Sequence, residues 1–295
     1  MSSPRGGIVR EARRPPGWQA PGPRPAGPGE RAELWPGPEE DLCYLVGDWR
    51  IFQRVDGHRW SMDDLVTAYL ATVSVDTPPA RTLDIGCGLG SVLMSVAWRF
   101  PEARAVGIEA QDVSFALARR SLAYNGAEAR VELRHGDLRD PTLLPEGAVF
   151  DLVTGTPPYF PIGTGVESTL VQKAPCRFEH RGGVEDYTAA AARALAPRGR
   201  FALCAAYGQQ ERIEAAAALH DLVVVRRVDV VPRAGKAPLL VLDVLERRGG
   251  RAAAEMPVRR HDSLTVRDER GQWTRDFLTV REVMGLPPAP PARMR

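Results

Sequence analysis

Residues 83–91 read LDIGCGLGS. A short β-rich run breaks into three glycines, Gly86, Gly88 and Gly90, and then into the helical pattern of 90–100. Glycine lets a backbone bend tightly and approach a ligand closely. The helix behind it presents N–H groups without intrahelical partners. This unit opens many nucleotide-binding sheets, so its spacing alone selects no ligand. Outward from it, β-rich runs alternate with helical stretches. The strand candidates are RTLDIG (81–86), RAVGIE (104–109), RVELRHGD (130–137), FDLVTG (150–155), GRFALCAA (199–206), LVVVRRVDVV (222–231) and PLLVLDVLER (238–247). The helical stretches are 90–100, 112–125, 184–196 and 208–220; the second stops at Asn125-Gly126, a left-handed terminator, and the third before Pro197. Such alternation predicts an α/β fold, a mostly parallel sheet with helices on both faces. The last two strands are joined only by PRAGKA (232–237). Six residues cannot make a parallel crossover, so this pair is an antiparallel hairpin.

The whole chain has 295 residues, 39 basic and 37 acidic, for a formal charge of +2. That near-neutral balance excludes coating nucleic acid by charge alone and leaves room for a local basic surface. No apolar run reaches the length of a membrane span. The four cysteines, Cys43, Cys87, Cys176 and Cys204, form no C-x-x-C pair, which argues against zinc or a disulfide framework and for reduced thiols in a cytoplasmic protein. Lysine occurs twice, at Lys173 and Lys236, against 37 arginines. Codon bias accounts for that excess, which by itself says nothing about RNA or DNA.

Proline and glycine concentrate at the ends. Residues 1–38 hold nine prolines and seven glycines, with six arginines against three glutamates. With little apolar content to offset chain entropy, 1–38 is expected to be a disordered tail, without a binding role or as a basic arm on RNA phosphates. The four prolines of 286–295 extend the same expectation to that end. The folded domain is then 39–285, expected to act as a monomer.

Three acids and one proline pair carry the chemistry. Glu109 ends the second strand, 23 residues after Gly86, where a carboxylate accepts both hydroxyls of a ribose. Asp137 ends the third strand, as a ligand contact or as a loop cap. Asp84, before the first glycine, sets a negative charge where the pyrophosphate of NAD, the competing ligand, would fit badly. The fourth strand runs into TGTPPYF (154–160), where Pro157 and Pro158 force a rigid extended turn at the carboxyl edge of the sheet, the edge at which open α/β sheets bind ligands.

Together these elements resemble the seven-stranded, Rossmann-like fold of class I S-adenosylmethionine (SAM) methyltransferases. In that family the acid before the first glycine lies near the methionine end of SAM, and the counterpart of Asp137 recognises the adenine amine. TPPYF resembles the Asn/Asp/Ser-Pro-Pro-Tyr/Phe motif of enzymes that methylate planar amino groups, among them adenine N6 and glutamine N5. Such an amine has a delocalised lone pair, and acceptors around its N–H bonds favour a more tetrahedral nitrogen as the methyl arrives. Thr156 and the carbonyl of Pro157 are the implied acceptors, Tyr159 stacks on the flat group, Phe160 follows as a substrate contact, and no metal is required. Thr156 departs from the motif, since a hydroxyl offers less than an amide or a carboxylate.

Three further segments resemble bacterial tRNA1(Val) (adenine-37-N6)-methyltransferases. FQRVDGHRWSMDDLVTAYLA (52–71) is similar to the segment lining their SAM pocket, with Asp63 as the matching acid. Residues 172–201 are similar to their Arg-containing substrate loop and following helix, and SLTVRDERGQWTRDF (263–277) to their closing strand, turn and helix. The implied function is SAM-dependent methylation of an adenine N6 in tRNA. Lys173, Arg177, Arg181, Arg233 and Lys236 would form a basic rim for RNA phosphates, or serve as ordinary surface charge. A protein-glutamine N5-methyltransferase, a small-molecule amine methyltransferase and a non-catalytic SAM- or RNA-binding module stand as alternatives.

Overall fold

In the computed structural model, residues 3–160, 163, 178–249 and 260–288 are described. The chain begins with a strap over residues 3–38, which includes the short strand β1 (Ile8–Val9). β2 (Glu40–Tyr44) and β3 (Arg50–Arg54) follow and form with β1 a three-stranded sheet in the order β1-β2-β3. Then come α1 (Met62–Val73), β4 (Arg81–Ile85), α2 (Ser91–Arg99), β5 (Arg104–Glu109), α3 (Asp112–Asn125), β6 (Val131–His135) and β7 (Phe150–Gly155). α4 (Val184–Ala194) passes directly into β8 (Leu195–Ala206), followed by α5 (Gln210–Leu219), β9 (Leu222–Val231), β10 (Leu240–Arg247), β11 (Arg260–Thr265) and α6 (Arg275–Val283).

The large sheet has the order β11-β9-β10-β8-β7-β4-β5-β6. β4 to β8 are mutually parallel, and β10 lies antiparallel between β8 and β9, so the short PRAGKA connection makes a hairpin as its length requires. β11 adds an eighth strand, parallel to β9, at the edge beyond the seven expected. Both faces are buried. Leu83, Ile85, Val241 and Leu245 pack with α4 and α5, while alternating residues such as Leu242 and Val244 pack with α1, α2 and α6. A sheet covered on both sides reads in sequence as nearly continuous apolar runs, as β10 does.

Residues 3–38 correct the expectation of a disordered tail. Arg10 pairs with Asp41 at 2.8 Å, Arg14 and Arg24 both bind Asp48, and Gly27 N–H donates to the Tyr124 carbonyl at 2.9 Å. In return Arg120 of α3 donates to the carbonyls of Glu33 (2.9 Å) and Trp35 (3.0 Å). Leu34 is 1% exposed. The strap is held by surfaces of the domain that no inspection of its own composition reveals, and its prolines reduce the entropy lost on ordering. Leu34→Ala should therefore destabilise the protein by about 2–4 kcal/mol in urea unfolding, as for a packed core leucine; a change under about 0.5 kcal/mol, typical of a surface site, would mean that the strap is not packed. Of the expected tail at the other end, 289–295 lie outside the described residues.

Candidate functional site

The sheet order reverses at β4: β5 and β6 lie to one side, β7 and β8 to the other. Ligands of open α/β sheets bind beyond the carboxyl ends of the strands at such a switch point. Ile85 pairs with Gly155, so the glycine turn after β4 and Thr156-Pro157-Pro158 after β7 leave the sheet side by side. Between them opens a cavity of about 890 Å³, large enough for a nucleoside-sized ligand.

The three glycines of the turn are left-handed, with φ of +64° at Gly86, +55° at Gly88 and +80° at Gly90. The three positions do different work. A Cβ on Gly86 would stand 2.1 Å from the Tyr187 hydroxyl, one on Gly88 would meet nothing within 4 Å, and one on Gly90 would touch Ala118 of α3 at 3.4 Å. Gly86 and Gly88 line the cavity, while Gly90 caps α2 behind it.

Among the described residues, five carboxyl groups face this space: Asp63, Asp64, Asp84, Glu109 and Asp137. Glu109 accepts the N–H of Gly88 at 2.8 Å and of Gln111 at 2.7 Å, tying the glycine turn to the end of β5, while burial pushes its carboxyl up. Asp84 accepts from Thr154 Oγ1 at 2.7 Å and from Leu93 N–H at 2.9 Å; burial pushes it up to about 7. Asp64 accepts from Ser91 Oγ and from Ser61 N–H, each at 2.8 Å, the second bond capping α1. Asp137 is held below the usual carboxylate range by Arg139, 2.6 Å away. It thus caps its own loop and still faces the cavity.

Desolvation and the neighbouring Asp63 and Asp84 push Asp64 up to about 8. An unfolded aspartate titrates near ~4. Between these values the folded state holds a proton that the unfolded state has released. Stability of the ligand-free protein therefore falls as pH rises through this window and levels off above about 8. Asp64→Asn should flatten that decline in urea unfolding between pH 5 and 9, and an unchanged slope would contradict it.

On the β7 side, Thr156, Pro157, Pro158, Tyr159 and Phe160 all line the cavity. Tyr159 is pinned at both ends: its hydroxyl donates to Asp63 Oδ2 at 2.6 Å, and its carbonyl accepts from Gln209 Nε2 at 2.9 Å. Burial, with Cys204 and Asp63 beside it, pushes the Tyr159 phenol well above its ordinary value. The site thus joins an acid-lined pocket to a rigid proline turn carrying a fixed aromatic ring.

A family model for a methyltransferase domain matches residues 82–162. The fold is similar to that of a predicted O-methyltransferase from Agrobacterium tumefaciens, with a TM-score of 0.56 at 21% identity over 76% of this chain and 98% of that one. The tRNA1(Val) (adenine(37)-N6)-methyltransferase of Porphyromonas gingivalis is 28% identical over 69% of this chain and 79% of its own length. The enzyme of the same name from Aeromonas salmonicida is 32% identical over 57% of this chain and 69% of its own length. The chain belongs to the tRNA1(Val) (adenine(37)-N6)-methyltransferase family. It is a class I SAM-dependent methyltransferase. A release factor glutamine methyltransferase from Caulobacter vibrioides is 35% identical over 45% of this chain and 47% of its own length.

The cavity of this methyltransferase suits SAM. Among the described residues, five carboxyls stand with the guanidiniums of Arg59 and Arg181, and the carboxyls suit an ammonium, a sulfonium, two ribose hydroxyls and an aromatic amine. The open approach over Gly88 leaves its backbone accessible to a ligand.

Of the residues named from sequence, the fold brings together Asp63, Asp84, Gly86, Gly88, Glu109, Asp137, Arg181 and residues 156–160. Arg233 and Lys236 lie in the β9–β10 turn and do not line the cavity, although Pro238 and Leu239 of the same connection do. Lys173 and Arg177 lie outside the described residues. Arg59, Asp64, Gln111, Tyr187 and Tyr207 also line the cavity, and none of them was singled out in the sequence as a site residue. The Ser61–Asp64 spacing was a legible capping signal; nothing local marks Tyr187, which reaches Gly86 from α4.

Proposed function

We propose that this methyltransferase transfers the methyl group of SAM to the exocyclic N6 amine of an adenine in tRNA. The observation that carries this reading is the emergence of Thr156-Pro157-Pro158-Tyr159 beside the glycine turn, in one cavity, in a chain of this family. SAM supplies a methyl group already activated on a sulfonium. Glu109 accepts the ribose hydroxyls, Asp137 the adenine amine of the cofactor, and Asp84 with Asp64 faces its ammonium end. Asp63 acts through Tyr159, whose hydroxyl it holds.

On the acceptor side, the Thr156 hydroxyl and the Pro157 carbonyl take hydrogen bonds from the amine and draw its lone pair out of conjugation. The Tyr159 ring stacks on the base. Phe160 and Tyr207, 44% and 45% exposed, present flat apolar surfaces where the cavity opens, suited to a base withdrawn from its stack. Holding amine and donor in line does much of the remaining work. Arg233 and Lys236 would meet the RNA backbone outside the cavity.

Incubation with SAM and a valine tRNA transcript, read by nucleoside mass spectrometry, tests this. N6-methyladenosine is the expected product. Its absence in a protein that binds SAM, with N5-methylglutamine appearing on a release-factor fragment instead, would transfer the assignment to the glutamine reading. The similarity to the Caulobacter glutamine enzyme, at under half of each chain, is the narrower of the two.

A further inference from the structure

Of the large apolar side chains exposed among the described residues, three line this one cavity: Phe160, Tyr207 and Leu239. A single leucine or valine on a surface needs no explanation, whereas a group of them beside a binding cavity does. Phe160 is braced by the buried Phe178, with ring centroids 5.9 Å apart. Leu239 is the most open of the three, at 55% exposure.

The backbone of Leu239 is held on both sides. Its N–H donates to the Val230 carbonyl at 2.8 Å, and its carbonyl accepts the Tyr207 N–H at 3.0 Å. Leu240 of β10 stands opposite Ala206 of β8, so Leu239 and Tyr207, one residue further along, are cross-strand neighbours on one face of the sheet. Pro238, whose ring fixes its φ, precedes Leu239. The side chain is thus carried at the cavity mouth on a rigid support. The same β9–β10 connection bears Arg233 and Lys236, both exposed, and its Ala234 N–H donates to the Arg267 carbonyl at 2.8 Å, which ties the turn to the end of β11. One short connection therefore offers cations outside the cavity and an apolar side chain at its mouth. A nucleic acid repeats that pairing, with a phosphate beside every base.

We propose that Leu239 is a wedge: as the acceptor base leaves its stack for the Tyr159 ring, Leu239 enters the gap beside the neighbouring base, with Tyr207 behind it. Unstacking a base costs free energy. An apolar side chain placed against the exposed neighbour, with its own surface removed from water, offsets part of that cost. Leu239 then matters only where there is a stack to break. The inference deepens the adenine reading and rests on it.

Two valine tRNAs ligated from synthetic fragments test this on the full chain: one intact, the other with abasic sites on both sides of the acceptor adenine. Leu239→Ala should lower kcat/KM on the intact RNA by about 10-fold, the loss of a buried apolar side chain from the complex with the base withdrawn, and on the abasic RNA by less than about threefold. Leu239→Met keeps an apolar wedge and should stay within about threefold of wild type on both. With 2-aminopurine in place of the acceptor adenine, wild-type binding should raise the fluorescence of the intact RNA as the base unstacks, and Leu239→Ala should raise it less. S-adenosylhomocysteine affinity within about twofold of wild type verifies that each variant is folded. Equal losses on both RNAs, no loss on the intact one, or an unchanged fluorescence rise would overturn the wedge and leave the adenine reading standing. A wild-type protein that binds S-adenosylhomocysteine yet forms no N6-methyladenosine on either RNA would remove the adenine reading and the wedge with it.

Discussion

Replacing Glu109 with alanine is expected to weaken S-adenosylhomocysteine and SAM by about 100-fold, the loss of two charge-assisted hydrogen bonds at ~1.5–3 kcal/mol each, reduced by local relaxation. Two functions meet in this side chain. It accepts the Gly88 and Gln111 N–H groups, which holds the glycine turn against β5. A carboxylate has about four acceptor sites, so two stay available for a ribose diol. Alanine removes the ribose acceptors and also orphans the two N–H groups. Glu109→Gln, with one oxygen and one donor, cannot accept from both sides and should fall between. Calorimetry with S-adenosylhomocysteine measures the effect, and a loss under about threefold would remove Glu109 from the ribose site.

The second large effect is expected at Tyr159, and it should divide differently between binding and turnover. Tyr159→Ala should lower kcat/KM for the methylated acceptor by about 10²–10³-fold with S-adenosylhomocysteine affinity within about twofold of wild type. Stacking of a base on an aromatic ring contributes ~1–3 kcal/mol, and a small misplacement of the reacting groups adds to that. Tyr159→Phe separates the two contributions. It keeps the ring but loses the 2.6 Å bond to Asp63, and should cost about tenfold through looser placement of the ring. Single-turnover kinetics would refute the assignment if the alanine variant kept more than a third of wild-type kcat/KM, or if cofactor binding fell in parallel. A phenylalanine variant equal to wild type would show that the Asp63 anchor does not position the ring.

Much of this site was legible because its chemistry is local in the chain. Gly86 and Gly88 sit in one turn, Glu109 ends the next strand, and residues 156–160 follow directly on β7. Each is read from a few neighbours and a periodicity. Residues whose role depends on a partner distant in sequence escaped. Asp63 lines the cavity as its motif implies, but it also accepts the hydroxyl of Tyr159, 96 residues away. Tyr187 supports Gly86 from another helix, and Arg59 gains its setting from β2 and the strap.

Residues 3–38 show the same division. Their composition describes a chain with little apolar surface of its own. Their order comes from Asp41, Asp48, Tyr124 and Arg120, contributed by other elements.

By itself, then, the sequence determined the α/β alternation, the antiparallel hairpin, the glycine turn with its acids and the proline turn after the fourth strand, since hydrophobic period, connection length and backbone stereochemistry act over a few residues. Only the tertiary structure decided that β10 inserts between β8 and β9, that β11 extends the sheet, that the strap is packed, and that Asp41 stands behind Arg59. Those outcomes depend on which surfaces meet across long stretches of chain, and a buried carboxylate such as Asp41 is defined by the cations that reach it rather than by its neighbours in sequence.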